Sequence, residues 1–133
     1  MGVDYAAAKK LIARADRGGA RGRVLMLGRH KMQVRDRLRP ALGRVLAASD
    51  LGVTVEDLEQ PDGYAERFFT TLGWDQVDSM DISDYEGAGI VHDLNDPVPE
   101  GLHGRYDLIY DGGTTEHVFD VATCMGNIAD MLA

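Results

Sequence analysis

Residues 106–120, YDLIYDGGTTEHVFD, carry the residue types a ligand-binding corner needs, in the order it needs them. Tyr106-Asp107-Leu108-Ile109-Tyr110 is a short apolar run that stops on the carboxylate of Asp111. Gly112 and Gly113 then let the backbone turn without a Cβ clash, and apolar spacing becomes helical. Two earlier segments repeat the plan of a strand followed by an acid. These are Val77-Asp78-Ser79-Met80-Asp81 and Gly89-Ile90-Val91-His92-Asp93. In open α/β sheets ligands bind outside the carboxyl ends of the strands, so three acidic corners predict a polar ligand pocket. The chemistry available is recognition: a carboxylate accepts two hydrogen bonds from a vicinal diol.

Each acid also has a structural alternative. Asp81 serves equally as a helix or turn cap, since Asp caps well. The run Asp93-Leu94-Asn95-Asp96-Pro97 also suits an Asx-stabilised turn. Glu116 is placed to face a helix dipole, whereas His117 is the weak candidate for a general base, because imidazole titrates near neutral pH. His30, His92, His117, Asp93, Asp111 and Glu116 follow no compact metal-ligand spacing, so no metal is expected.

The elements that must position these corners follow from periodicity. Residues 4–16 form an amphipathic helix with Tyr5, Ala8, Leu11, Ile12 and Ala15 on one face. Arg23-Val24-Leu25-Met26-Leu27 is the continuous apolar run of a buried parallel strand, closed by Gly28. A second helix runs from about Asp36, its expected N-cap, with Leu38, Ala41, Leu42, Val45 and Leu46 inward and Pro40 near the first turn. Thr54 to Leu58 is a connector and Pro61-Asp62-Gly63 a turn. A short helix over 64–72 points Phe68, Phe69 and Leu72 inward, and Trp74 is expected to pack. Strands are expected at 77–80, 89–91 and 106–110, followed by a helix whose stripe is Val118, Val121, Ala122, Met125, Ile128, Ala129 and Leu132. Alternating strands and helices predict an α/β fold with a mainly parallel sheet.

The chain of 133 residues suits one domain, 1–133, with neither linker nor repeat. Fourteen Lys and Arg against 22 Asp and Glu give a formal net charge of −8, which argues against nucleic-acid or anionic-membrane binding. The bases concentrate early, at Arg21, Arg23, Arg29, Lys31, Arg35, Arg37, Arg39 and Arg44; that face either attracts an anion or is simply solvated. The single cysteine, Cys124, excludes an internal disulfide and is expected as a small buried hydrophobe. No apolar run approaches the roughly 20 residues of a membrane span, and no signal peptide is evident, so the cytoplasm is the expected compartment.

RVLMLG, VDSMDISDYEGAGIVHDLNDPVP and GRYDLIYDGGTTEHVFDVATCMGNIADMLA together resemble the first four strands of a class I methyltransferase dependent on S-adenosylmethionine (SAM). The resemblance implies a Rossmann-like three-layer sandwich, with about four strands in the order 3-2-1-4 flanked by helices and the later strands lacking. It implies that Gly28 approaches the methionine part of SAM, that Asp81 binds the ribose hydroxyls, and that Asp93 with Leu94 forms the adenine corner. Asp111, Gly112 and Gly113 would lie near the methionine moiety and the acceptor. The first turn departs from the family in having one glycine, with Arg29, His30 and Lys31 following it. The ribose acid also comes 53 positions after Gly28, against about 20 in a dinucleotide fold, so the helix over 64–72 belongs to an insertion between strands one and two.

Two functions follow as expectations. One is a SAM-dependent methyltransferase acting on a small-molecule or sugar-like acceptor. The other is a non-catalytic Rossmann-like remnant that acts as a binding or association module. A homodimer is expected in either case, because strand 106–110 would be an edge without lysine or proline to protect it.

Overall fold

The computed structural model describes residues 2–133, which gather into two compact units. The first comprises the residues up to Arg21 together with His30–Asp75; the second comprises Gly22–Arg29 and Gln76–Ala133.

In the first unit, β1 (Gly2–Val3) pairs in parallel with β3 (Lys31–Met32). Helix α1 (Tyr5–Asp16) starts on Asp4, whose carboxylate accepts the Ala7 N–H at 2.8 Å, the expected use of an N-cap acid. Ala8, Leu11, Ile12 and Ala15 are its buried face, as the spacing predicts. Helix α2 (Arg39–Ala47) buries Leu42 and Leu46 and packs on α1. Its start differs from the expectation. Residues 36–38 form a separate tight turn and Asp36 makes no capping bond, because Pro40 fits an early helical position and sets the true start beyond Asp36. Helix α3 (Glu66–Leu72) buries Phe68, Phe69 and Leu72. Trp74 packs edge-on to Phe69, with ring centroids 5.6 Å apart, as expected of a packing residue.

The second unit is built on a four-stranded, wholly parallel sheet in the order β5-β4-β2-β6. Its strands are β2 (Arg23–Leu27), β4 (Gln76–Asp81), β5 (Ile90–Val91) and β6 (Leu108–Asp111). Counted along the chain this is 3-2-1-4, the predicted Rossmann-like α/β order. Central β2 is buried from Val24 to Leu27, which explains its unbroken apolar run.

Helix α4 (Val121–Met131) lies on one face of that sheet, its Cys124 and Met131 packed with Leu25, Leu27, Met80, Leu94, Val98 and Tyr106. The inward face is Cys124, Asn127, Ile128 and Met131, with spacing i, i+3, i+4, i+7. The predicted stripe is right at Val118 and Ile128, which pack on the core, and out of phase elsewhere: Val121, Ala122, Met125, Ala129 and Leu132 are exposed. A polar residue at the centre of the buried face hides the periodicity. Asn127 accepts the Val98 N–H at 2.9 Å and donates to the carbonyls of Leu94 and Asp96 at 3.1 and 2.8 Å. It thereby satisfies backbone groups of the 94–98 loop that burial would otherwise leave unpaired. After α4, Leu132 forms a parallel bridge with Tyr106, and Ala133 donates to the Tyr106 carbonyl at 2.8 Å. Among the described residues no helix is long and apolar enough to cross a membrane.

Candidate functional site at the strand ends

Parallel pairing brings the predicted corners to one edge of the second unit. Leu27 is level with Met80 on one side and with Asp111 on the other. Gly28, Asp81 and Gly112 are each the next residue along, and the Gly28 N–H donates to the Met80 carbonyl at 2.6 Å. Asp81 is in turn level with Val91, two residues before Asp93. Every strand contributes its carboxyl end, because all four run the same way.

Gly28 has φ = 87°, a backbone state that L side chains rarely adopt, so glycine here is a conformational requirement. Arg29, the next residue, extends toward the β4–β5 connection and donates from Nη1 to the Glu86 carbonyl at 3.0 Å. A long charged side chain thus follows Gly28 where a glycine-rich turn would continue.

Asp81 ends β4 half-buried. Its Oδ1 accepts the Ile82 N–H at 2.7 Å, and Oδ2 makes no hydrogen bond among the described residues. That second oxygen is an open acceptor at the edge. Beside it Ile82 is 66% exposed and Tyr85 93% exposed, apolar surface of the kind that a flat ring covers.

Asp93 is an Asx turn. Its Oδ1 accepts both the backbone and side-chain N–H groups of Asn95, at 2.9 and 2.8 Å, and these bonds hold its carboxyl below the usual range. Leu94 turns away from the edge into the apolar cluster under the sheet, so only its backbone is placed to meet a ligand.

Asp111 is saturated. Oδ1 accepts the N–H groups of Gly113 and Thr114 at 3.0 and 2.7 Å; Oδ2 accepts the Thr115 N–H at 3.2 Å and the Thr115 hydroxyl. A carboxylate has about four lone-pair positions, and here all are spent on shaping the turn. Asp111 therefore positions Gly112 and Gly113 and has no acceptor left for a diol. Gly113 has φ = 124°, and the Thr114 hydroxyl donates to the Leu27 carbonyl at 2.5 Å, tying the β6 corner to the end of β2. The clustering of Thr114 and Thr115 behind an acid is a sequence signal for this motif; their role is absent from the expectations above.

His117 and Glu116 lie in a tight turn, Thr115–His117, both well exposed, with imidazole Nε2 3.4 Å from the Glu116 carboxylate. His92 faces the Asp96 carbonyl at 3.0 Å. Among the described residues no three His, Cys, Asp or Glu side chains are grouped to hold a metal ion. Cys124 is buried, and that burial, with the Asp111 charge, pushes its thiol up and away from reactivity.

The edge thus offers the open Oδ2 atoms of Asp81 and Asp93, the positive-φ glycines Gly28 and Gly113, and exposed apolar side chains. Those residues fit the nucleoside half of a cofactor such as SAM; the turn after β2 fits less well because Arg29, His30 and Lys31 follow Gly28 in place of further glycines. None of the family models, curated proteins or solved structures compared with the chain matches it.

Proposed function

We propose that this chain is a class I methyltransferase domain that uses SAM to methylate a small-molecule or sugar-like acceptor. The observation that carries the reading is that Leu27, Met80 and Asp111 are level on three adjacent parallel strands, so that Gly28, Asp81 and Gly112 follow directly at their carboxyl ends, with the Oδ2 of Asp81 open. In this reading Asp81 holds the ribose diol, Ile82 and Tyr85 shield the base, and the Gly28 and Gly113 corners let backbone approach the rest of the cofactor. SAM supplies an electrophilic methyl group on a sulfonium, and the residues of the edge supply proximity and alignment, which dominate such transfers. His117 is the residue placed to take a proton from an acceptor hydroxyl. The cytoplasm is the compartment this reading implies.

Arg29 favours a second reading, the non-catalytic remnant, because it follows Gly28 where a glycine-rich turn would continue, and its guanidinium is bonded to the Glu86 carbonyl. Titration with S-adenosylhomocysteine separates the two. Binding with a rise in melting temperature is expected for the enzyme. The Asp81→Ala variant should lose about 1–3 kcal/mol of that affinity, the scale of a bond to a charged group. Absence of heat and of any thermal shift at high ligand would sink the methyltransferase reading and leave the remnant.

A further inference from the structure

A hollow of about 210 Å³ lies within the first unit, and no strand-end residue lines it. Its walls are Met32, Val34, Leu42, Val55 and Leu58, and Arg39, Glu59 and Gln60 stand among them as polar lining. A cavity of about 150 Å³ already admits a benzene-sized molecule, so a six-membered ring with a short tether has room here. Leu42 and Leu58 are essentially inaccessible to solvent, so the apolar surface an occupant can touch is mainly that of half-buried Met32 and Val34.

The segment beside the hollow is braced. The Gln60 side chain accepts the Arg67 N–H at 2.9 Å and donates to the Asp62 and Glu66 carboxylates at 2.7 and 2.9 Å. Arg67 also donates to the Glu59 carbonyl at 2.9 Å, and Met32 donates to the Gly63 carbonyl at 2.9 Å. A wall tied on both sides cannot relax inward to fill the space, so apolar atoms facing it lack contacts that an occupant would restore.

Charge selects the occupant. The guanidinium of Arg39 is paired with Oε1 of Glu59 and lies 3.6 Å from the Glu56 carboxylate. One cation against two carboxylates leaves this polar side net negative. Oε2 of Glu59 makes no hydrogen bond among the described residues, and its side chain is 40% exposed. An ammonium can dock on that oxygen without displacing Arg39, whereas a ligand carboxylate would compete with Glu59 for the guanidinium. We propose that this hollow binds a compact apolar primary amine, its hydrocarbon body on Met32 and Val34 and its ammonium on Glu59.

The proposal is independent of the methyltransferase reading and is tested without any cofactor. Three matched probes differ only in their polar end: 2-phenylethylamine, 2-phenylethanol and 3-phenylpropionate. By calorimetry on the intact chain the amine should bind about tenfold more tightly than the alcohol, the gain of a charge-assisted bond, and the carboxylate should bind most weakly. Glu59→Gln, which retains an acceptor for Arg39 but not the charge, should erase the preference for amine over alcohol. Val34→Phe, which fills the hollow, should abolish binding of all three. Equal affinity for the three probes, no binding of the amine, or an unchanged amine preference in Glu59→Gln would each overturn the proposal. The Glu59→Gln result decides it even if the cavity-filling variant fails to fold.

Discussion

At the residue scale, the acids of the strand-end edge divide by what their oxygens already hold. Asp111 spends both oxygens on its own turn, Asp93 spends Oδ1 on the Asn95 turn, and Asp81 accepts only the next backbone N–H, so Oδ2 stays open in both Asp93 and Asp81 among the described residues. Position after a strand does not distinguish these cases; the donors that follow do. Asn95 two residues after Asp93, and Thr115 four after Asp111, supply side-chain and backbone N–H or O–H groups at close range. Ile82 supplies only its backbone N–H to Asp81. Gly113 is the other residue-scale test. At φ = 124° a β-branched side chain is strained by about 1–3 kcal/mol. Gly113→Val should remove S-adenosylhomocysteine binding while the circular-dichroism spectrum stays near that of the parent chain. Binding retained in that variant would show that the β6 corner is not part of the cofactor approach.

At the scale of elements, α4 carries two consequences. Asn127 sits where its buried face would otherwise be apolar, and it fastens three backbone groups of the 94–98 loop. Asn127→Ala leaves those groups without their partner and should lower stability by about 1–3 kcal/mol in urea unfolding; a change within a few tenths would mean that water replaces the amide. The opposite face is the second consequence. Val121 and Met125 are 55% and 54% exposed, and Phe119, just before the helix, is 97% exposed. β6 is the edge strand of the sheet, and just before it Tyr106 is bridged by Leu132. Exposed apolar surface and an edge strand each favour self-association. A two-fold dimer is the expected state in sedimentation at several concentrations, and Phe119→Asp with Met125→Lys should shift it to monomer. A wild-type chain that stays monomeric at high concentration would refute this.

At the scale of the whole molecule, Tyr106 links stability to pH. Its ring is fully buried, and its hydroxyl donates to Asp78 at 2.8 Å. Burial first, then the Asp78 hydrogen bond and charge, push the phenol well above its ordinary value of about 10. Unfolded Tyr106 ionises above about pH 10 and the folded residue does not, so the unfolded state there binds fewer protons and stability falls as pH rises. Below that pH both states are protonated and the slope vanishes. Tyr106→Phe should therefore be less stable at neutral pH, having lost its bond to Asp78, but show a shallower alkaline decline. An identical decline in both proteins would place the alkaline limb on other groups. Tyr106 also marks the boundary of what sequence alone determined. The apolar run of β2, the cap at Asp4, the inward faces of α1 and α3 and the alternation that predicts a parallel sheet are local patterns, set by side-chain periodicity and turn chemistry within a few residues. Where Arg29 reaches, how the β6 corner is tied to the end of β2, and which face of α4 is buried depend on groups brought together from distant parts of the chain. Asn127 meets Val98 across 29 residues and the Thr114 hydroxyl meets Leu27 across 87. Hydrogen-bond satisfaction at such separations leaves no periodic trace in the sequence, so tertiary structure alone decided it.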